Sequence, residues 1–483
     1  MATHEKPLNI LWICTDQQRW DTLGCYGNRF VHTPHLDRLA AEGALLEQAF
    51  CQNPVCTPSR ASFLTGRYPR TARARQNGQD IPASEILITK LLADAGYVCG
   101  LAGKLHLSAC HPSASPMMEH RIDDGYSDFH WSHDAGKGWP TNEYHTWLEA
   151  KGAAFSRRPH PETKRVEFGP EEENHQTTFC SEKAIDFITE RGKDRKPWLF
   201  SVNIFDPHDS FDPPEAYLAR YMDIIDDIPL PNYVDGELEN KPLYQRAGHA
   251  NAYNAKNYLP YDAMTDREHR LCRAAYWAMC DLIDARVGLM LDALERTGQR
   301  DNTIVIFMSD HGEMLGDHGI YTKGPFFYEG AVHVPLIISC PGVIQPQRRN
   351  ELVELVDLPQ TVLDILGLPH HAGMQGRSVW PLLSGNADEY RTREDVYCEY
   401  YFSMPFFSDP PAQMTMVRTE RYKLTVDHNA SFGELYDLQD DPDERYNHWD
   451  DPAYTAVKTM MLVRLCNRMA WTADPLPARK AMW

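Results

Sequence analysis

No stretch of about 18 consecutive apolar residues occurs in this chain, which excludes a membrane-spanning helix. Positive charge is scarce: across 483 residues, 48 Lys and Arg stand against 68 Asp and Glu, a formal charge of −20. So acidic a chain is a poor partner for nucleic acid or an anionic membrane. An enzyme of anionic substrates with this composition has to gather its cations locally. The 12 cysteines lack paired spacing and several fall in apolar runs, so most read as reduced core residues. No internal repeat stands out at any period. Met1 to Pro7 run almost directly into the first apolar stretch, leaving no room for a secretory signal, and a cytoplasmic location is expected.

What the chain does have is a set of short, continuous apolar runs, each followed at once by polar residues. Asn9–Cys14 leads to Asp16 and Gln17, and Tyr97–Ala102 leads to Lys104 and His106. Trp198–Ile204 leads to Asp206 and His208, and Thr303–Met308 to Asp310 and His311. Such runs, alternating with helical patterns like Glu268–Glu295, read as parallel strands covered on both faces. Ligands of these α/β sheets gather beyond the carboxyl ends of the strands, where the polar residues fall. Glu351–Leu366 has the spacing of a further helix.

The length suits one large core plus a smaller domain, dividing near residue 385. Residues 1–385 read as the catalytic α/β domain and 386–483 as a smaller α+β domain. In the latter, Thr415–Thr419 and Tyr422–Val426 suit an antiparallel sheet, with a closing helix near Ala456–Met469. The tail Trp471–Trp483 has little to hold it unless it packs on a neighbour, so a homo-oligomer is expected. Segments 108–175 and 206–265 are too irregular to assign; both start just after the strand ends that deliver His106 and His208, so they are expected to wall a pocket. Their aromatics, such as Trp131, Trp139, Tyr144 and Tyr261, suit a sugar or aryl group, or equally plain packing.

Asp16, Gln17 and Asp310 supply oxygen donors and His311 a nitrogen. Each alone could be a helix cap, a surface amide or turn chemistry. Together they suit one hard divalent cation such as calcium, magnesium or manganese; calcium is expected, with manganese, toward which the imidazole leans, as the alternative. The run Cys56-Thr57-Pro58-Ser59-Arg60, with Gly66 behind it, reads as a helix beginning at Cys56. Free N–H groups and the dipole at such a terminus favour an anionic group, and Arg60, one turn on, can lean back over it. The other reading of this stretch is an ordinary helix start with a buried thiol.

The order Cys-x-Pro-Ser-Arg with Thr65-Gly66-Arg67 resembles the site at which type I sulfatases convert a cysteine to formylglycine. Thr15–Arg19 and Leu23–Asn28 resemble the first metal loop of that family, and Thr33–Ala40 the helix that follows. Gly103-Lys104-Leu105-His106 is similar to its Gly-Lys-x-His element. Gly376-Arg377-Ser378, Arg418-Thr419, Tyr422-Lys423 and Glu434–Leu438 resemble its domain junction and C-terminal sheet. The resemblance, to the sulfatase and alkaline phosphatase-like superfamily, runs nearly the whole chain. It implies a large mixed, mostly parallel sheet between helices, with a smaller C-terminal antiparallel sheet plus helix. It implies a metal-dependent hydrolase of aryl, alkyl or carbohydrate sulfate esters, acting through a formylglycine hydrate and a covalent sulfo-enzyme intermediate.

Residue by residue, the resemblance makes Cys56 the formylglycine and a further metal ligand, with Arg60 holding its diol. Lys104 and Lys323 would bind the substrate's oxyanion, and His106 would be the base that releases sulfate. His208, alone or with Lys323, would serve the leaving oxygen. A formylglycine-generating enzyme is then a partner during maturation. Phosphonate monoester hydrolases share the Asp-Gln and Asp-His pairs, and Asn77 resembles their substrate-contacting asparagine, so phosphonate or phosphate diester hydrolysis is the alternative. The charged pair Lys104 and His106 is the sulfatase pattern. A non-catalytic binding protein is the third possibility, should Cys56 stay unmodified.

Overall fold

The computed structural model describes residues 7–137, 139–194 and 196–483; Met1–Lys6, the stretch read above as too short for a secretory signal, lies outside the described residues. Eight strands form the main sheet: β1 (Asn9–Thr15), β2 (Ala44–Phe50), β3 (Val98–Gly103), β4 (Asp128–Trp131), β5 (Trp198–Asn203), β6 (Thr303–Ser309), β7 (Leu336–Ser339) and β8 (Gln347–Glu354). They pair in the order β8-β2-β7-β6-β1-β5-β3-β4, and the short His333–Val334 pairs with β2 as a ninth. β7 runs antiparallel to β2 and β6, and the other neighbours on this path are parallel. This is the mixed, mostly parallel sheet expected.

The continuous apolar runs have a simple cause. Alternate side chains of a strand point to opposite faces. In β1, Ile10, Trp12 and Cys14 enter one core, while Leu11 and Ile13 enter the other. β6 repeats the division with Ile304, Ile306 and Met308 against Val305 and Phe307. With both faces covered, neither set can be polar, and each fully buried side chain contributes about 1.5–3 kcal/mol.

Five helices matter for the site: α1 (Pro34–Glu42), α2 (Cys56–Thr65), α3 (Gln176–Arg191), α4 (Asp266–Arg296) and α5 (Thr455–Trp471). α4 opens with a reciprocal cap, the Thr265 hydroxyl taking the Glu268 N–H and the Glu268 carboxylate taking the Thr265 N–H. It is buried along most of its length, against α3 on one side and the 206–265 segment on another.

Glu351–Leu366 is not one helix. Its first four residues finish β8, paired in parallel with β2, a 3-10 turn follows at Leu355–Asp357, and α-helix occupies only Leu358–Leu366, with Pro359 in the first turn. Leu352, Val353, Leu355 and Val356 fit either periodicity, and the open edge of β2 draws the first half into the sheet. The aromatics Trp131, Trp139 and Tyr144 are buried to 2% exposure or less, so they are packing residues and not platforms for a ligand. Trp131 donates to Glu119 at 2.9 Å and Tyr144 to the Asn174 carbonyl at 2.7 Å, which satisfies their polar ends inside. Tyr261 is half-buried among His249, His269 and Tyr233.

Near the C-terminus, β9 (Val396–Tyr401), β10 (Gln413–Arg418), β11 (Tyr422–Asp427) and β12 (Phe432–Asp437) form an antiparallel meander. Val417, Leu424 and Leu435 face α5 residues Met461 and Leu465. Cys398, Tyr400, Met414, Met416 and Tyr436 join the core of the main sheet. The tail is tied at its start by Arg67 to Asp474 at 2.8 Å, while Trp483 is fully exposed. All 12 cysteines are free thiols.

Candidate active site

Strands β3, β5, β1 and β6 end level with one another: Gly103 lies opposite Asn203, Cys14 opposite Asn203 and Thr15 opposite Ser309. The residues that follow them therefore arrive at one edge of the sheet. Lys104 N–H to Asn203 O at 3.0 Å, Asp310 N–H to Thr15 O at 3.1 Å and Asp16 N–H to Asp206 O at 3.2 Å bind that edge together.

α2 points its first turn at the same place. Val55 is extended, Cys56 is the first helical residue, and Pro58 occupies a position whose N–H has no partner in a helix. Gly66 ends the helix at φ 68°, a conformation glycine adopts without strain, and donates to Ser62 O at 2.9 Å. Every residue of α2 is buried, Cys56 to 1% exposure. Asn77 Oδ1 accepts the Thr57 N–H at 3.0 Å, so the contact Asn77 makes is with the helix start.

Around Cys56 Sγ, His311 Nε2 and Lys323 Nζ both lie at 3.3 Å and Asp16 Oδ1 at 3.6 Å. Arg60 reaches back beneath them, donating to Asp310 Oδ2 at 2.8 Å, Asp16 Oδ2 at 3.0 Å and the Lys104 carbonyl at 2.7 Å. Lys104 Nζ pairs with Asp16 Oδ2. Gln17 N–H donates to Asp310 Oδ1 at 3.0 Å, and its side-chain Oε1 accepts from Lys323. One ligand atom from each of Asp16, Cys56, Asp310 and His311 falls within a 4.8 Å span. Two carboxylates and an imidazole that close together, with the Gln17 amide beside them, fit one hard divalent cation.

The electrostatics follow from this crowding. Burial alone would raise the Cys56 pKa, but Lys104, Lys323 and His311 overturn that and hold the thiol well below its ordinary value. Burial likewise opposes a charge on His311, and Asp310 reverses it, lifting the imidazole to about 9. His106 goes the other way: burial, then the Lys104 ammonium, push it down to about 4. Its imidazole is therefore neutral near pH 7, and its Nδ1 is buried with no hydrogen-bond partner among the described residues. Glu119 fixes the His106 backbone by accepting the N–H groups of His106 and Leu107, each at 2.8 Å.

His208 Nε2 stands 2.7 Å from Lys323 Nζ, and its Nδ1 stands 2.7 Å from the Asp209 carbonyl. Burial and then Lys323 disfavour its charge, but the Asp209 carboxylate, Cys56 and Asp16 outweigh them and leave its pKa raised. Tyr253 and Tyr258 both donate to Asp209. The Lys323 turn, Tyr321–Pro325, is buried throughout and not the flexible loop its composition suggests. The structure thus brings Asp16, Gln17, Cys56, Arg60, Lys104, His106, His208, Asp310, His311 and Lys323 together and sets Asn77 at the rim.

Four neighbours escaped the sequence reading: Glu119, His133, Asp209 and Glu313. His133 lies edge-on to His106 with ring centres 4.9 Å apart. Glu313 is fully buried and accepts from the Gln17 side-chain amide. Its place in Asp310-His311-Gly312-Glu313 was the signal available, a fourth polar residue beyond a strand end.

Known proteins resemble this chain in sequence and fold. The sequence profile of the Sulfatase family matches residues 8–368, and that of the N-sulphoglucosamine sulphohydrolase C-terminal region matches residues 316–470. The arylsulfatase of Clostridium perfringens (strain 13 / Type A) is 29% identical over 469 residues, 87% of this chain and 92% of that protein. The choline-sulfatase of Rhizobium meliloti (strain 1021) is 29% identical over 460 residues, 93% and 84% of the two chains. The phosphonate monoester hydrolase SpPMH from Silicibacter pomeroyi superposes with a TM-score of 0.84 at 25% identity, covering 97% of this chain and 96% of that one.

Proposed function

The chain belongs to the sulfatase family and is a sulfuric ester hydrolase, and from that premise we propose that it cleaves sulfate monoesters using formylglycine at position 56 and one divalent cation. One observation carries the reading. In a chain of net charge −20, the first residue of a buried helix has two lysines, an arginine and a histidine gathered about it.

Asp16, Gln17, Asp310, His311 and residue 56 would hold the cation, calcium or alternatively manganese. The cation supplies fixed positive charge beside the ester oxygens, and formylglycine, once hydrated, supplies a hydroxyl nucleophile. The remaining work belongs to side chains already in place. Arg60 holds both carboxylates in one orientation through its three donated bonds. Lys104 and Lys323 are fixed donors for the sulfate oxygens, where charge grows as the ester bond breaks. His208, with Nδ1 turned to the Asp209 carbonyl, presents Nε2 to the leaving oxygen together with Lys323. His106, neutral at working pH, takes the proton whose removal frees sulfate.

With Cys56 at 1% exposure, a formylglycine-generating enzyme has to reach it before α2 is packed. A cytoplasmic home, a small-molecule sulfate ester as substrate and a homo-oligomer built through the C-terminal tail complete the proposal. Phosphonate monoester hydrolysis is the second reading, favoured by the fit to SpPMH and by Gln17 and Asn77. Lys104 and His106, both poised at residue 56, favour sulfate.

The test compares kcat/KM for an aryl sulfate and the matching aryl phosphonate monoester, on protein whose residue-56 peptide is verified by mass as formylglycine. Preference for sulfate, with Cys56→Ala folded but inactive, is the expected result. Preference for phosphonate would hand the assignment to the second reading, and full activity in Cys56→Ala would end the mechanism.

A further inference from the structure

We infer that Glu313 is a positioning residue that decides which end of the Gln17 side-chain amide faces residue 56 and Lys323, an inference that rests on the metal-site reading above. A glutamine amide is nearly symmetric in shape but offers an acceptor at one end and two donors at the other. In a metal site only the oxygen end is useful, so something has to choose it.

Gln17 lies immediately beyond β1 with φ 66°, and it is fully buried. Its Nε2 donates to Glu313 Oε2, and its Oε1 accepts from Lys323 Nζ. An ionised carboxylate only accepts and an ammonium only donates, so the two partners agree on a single orientation. Glu313 is itself fixed, because its Oε1 accepts the N–H groups of Leu315, at 2.9 Å, and Thr322. Thr322 precedes Lys323, so one carboxylate ties the Gln17 amide to the turn that carries the lysine.

A second observation points the same way. Glu313 is at 0% exposure and forms no ion pair among the described residues, although buried carboxylates are costly when unpaired. The three N–H groups it accepts account for its retention, and two of them govern active-site geometry. Glu313→Gln keeps the size of the side chain. Its oxygen can still serve Leu315 and Thr322, but its NH2 then meets the Gln17 NH2. Two donors cannot face each other, so the Gln17 amide turns over and brings N–H groups toward the cation site. Exchanging the two residues, Gln17→Glu with Glu313→Gln, restores an acceptor facing a donor and leaves an oxygen toward Lys323.

The experiment titrates Ca2+, and separately Mn2+, into chelator-treated full-length parent, Glu313→Gln, Gln17→Glu and the double variant. It follows binding by calorimetry and the apo melting temperature alongside. Glu313→Gln is expected to weaken ion binding roughly 10–100-fold, the scale for residues that orient a metal ligand. The double variant is expected to bind more tightly than either single variant. Parent-like binding by Glu313→Gln, or a double variant no better than additive, overturns the inference while leaving the metal site standing. A parent that binds neither ion overturns the metal-site reading, and the inference with it. Should Glu313→Gln fail to fold, the double variant decides: folding and binding support positioning by amide orientation, and failure refutes it.

Discussion

Two buried charge networks sit at the two ends of helix α2, and they are built on different principles. Past its C-terminal end, Glu354 accepts from Arg393, Arg468, the Tyr68 hydroxyl and the Tyr397 N–H, while Asp357 accepts from Arg393 and two backbone N–H groups. Each of the two carboxylates has a guanidinium, and no polar atom of either is left to serve anything else. At the N-terminal end, Asp16 and Asp310 share Arg60, but Lys323 has no carboxylate partner among the described residues and leans instead on Gln17, His208 and Cys56. The first network is closed and its product is structure: it locks α2 to β8, β9 and α5. The second is open: Lys323 is left without a carboxylate, beside the residue proposed to carry the chemistry.

The contrast breaks most visibly if one member is removed from the closed network. Arg393→Met should cost about 3–5 kcal/mol in urea unfolding, because two buried carboxylates lose their shared cation. Turnover per folded molecule should be unchanged. A variant that keeps its stability but loses activity would show that the two networks are one. Lys323→Met is the mirror case. Loss of a preorganised donor should lower kcat roughly 10²–10³-fold. The melting temperature should hold or rise, since an unpaired buried ammonium has been replaced by an apolar group. A drop in melting temperature equal to that of Arg393→Met would erase the distinction.

A third, smaller test uses a carboxylate that has no cation partner among the described residues. Asp284, buried in α4, accepts only the N–H groups of His35 and Leu36 at the start of α1. Burial dominates and pushes its pKa up to about 7. The unfolded value is about 3.9, so between these limits the native state holds a proton that the unfolded chain has lost. This contribution to stability is full below about pH 4 and disappears as the pH rises through about 7. Asp284→Asn should therefore flatten the pH dependence of the unfolding free energy over that window. An unchanged slope would mean that the two N–H bonds keep the group ionised, as the guanidinium groups do for Glu354.

How far the site could be read in advance followed from distance along the chain. Asp16, Lys104, His208 and Asp310 were legible because each lies directly behind a continuous apolar run, and a parallel strand buried on both faces has no other way to end. Cys56 and Arg60 were legible because Pro58 and Gly66 bracket a helix. Glu313, Glu119 and Asp209 were not, because their roles depend on partners brought in by the fold. Gln17, for one, lies 296 positions from Glu313. Trp131 and Tyr144 stayed open between ligand contact and packing for the opposite reason: composition gives an aromatic ring but not whether its face meets solvent or a core. The Glu351–Leu366 pattern misled because its apolar spacing satisfies both periods, and only the neighbouring strand chooses.

The sequence by itself determined the strands that end at the site, their sidedness and the inventory of reactive groups, since those depend on contacts within a few residues and on which surfaces must leave water. Tertiary structure alone decided which of those groups share a boundary and in what state. Bringing four strand ends and one helix terminus to a single buried edge is what lowers the Cys56 thiol, keeps His106 neutral and turns the Gln17 oxygen toward Lys323. Charges interact strongly only when they are close and out of water, and closeness between residues hundreds of positions apart is a property of the fold.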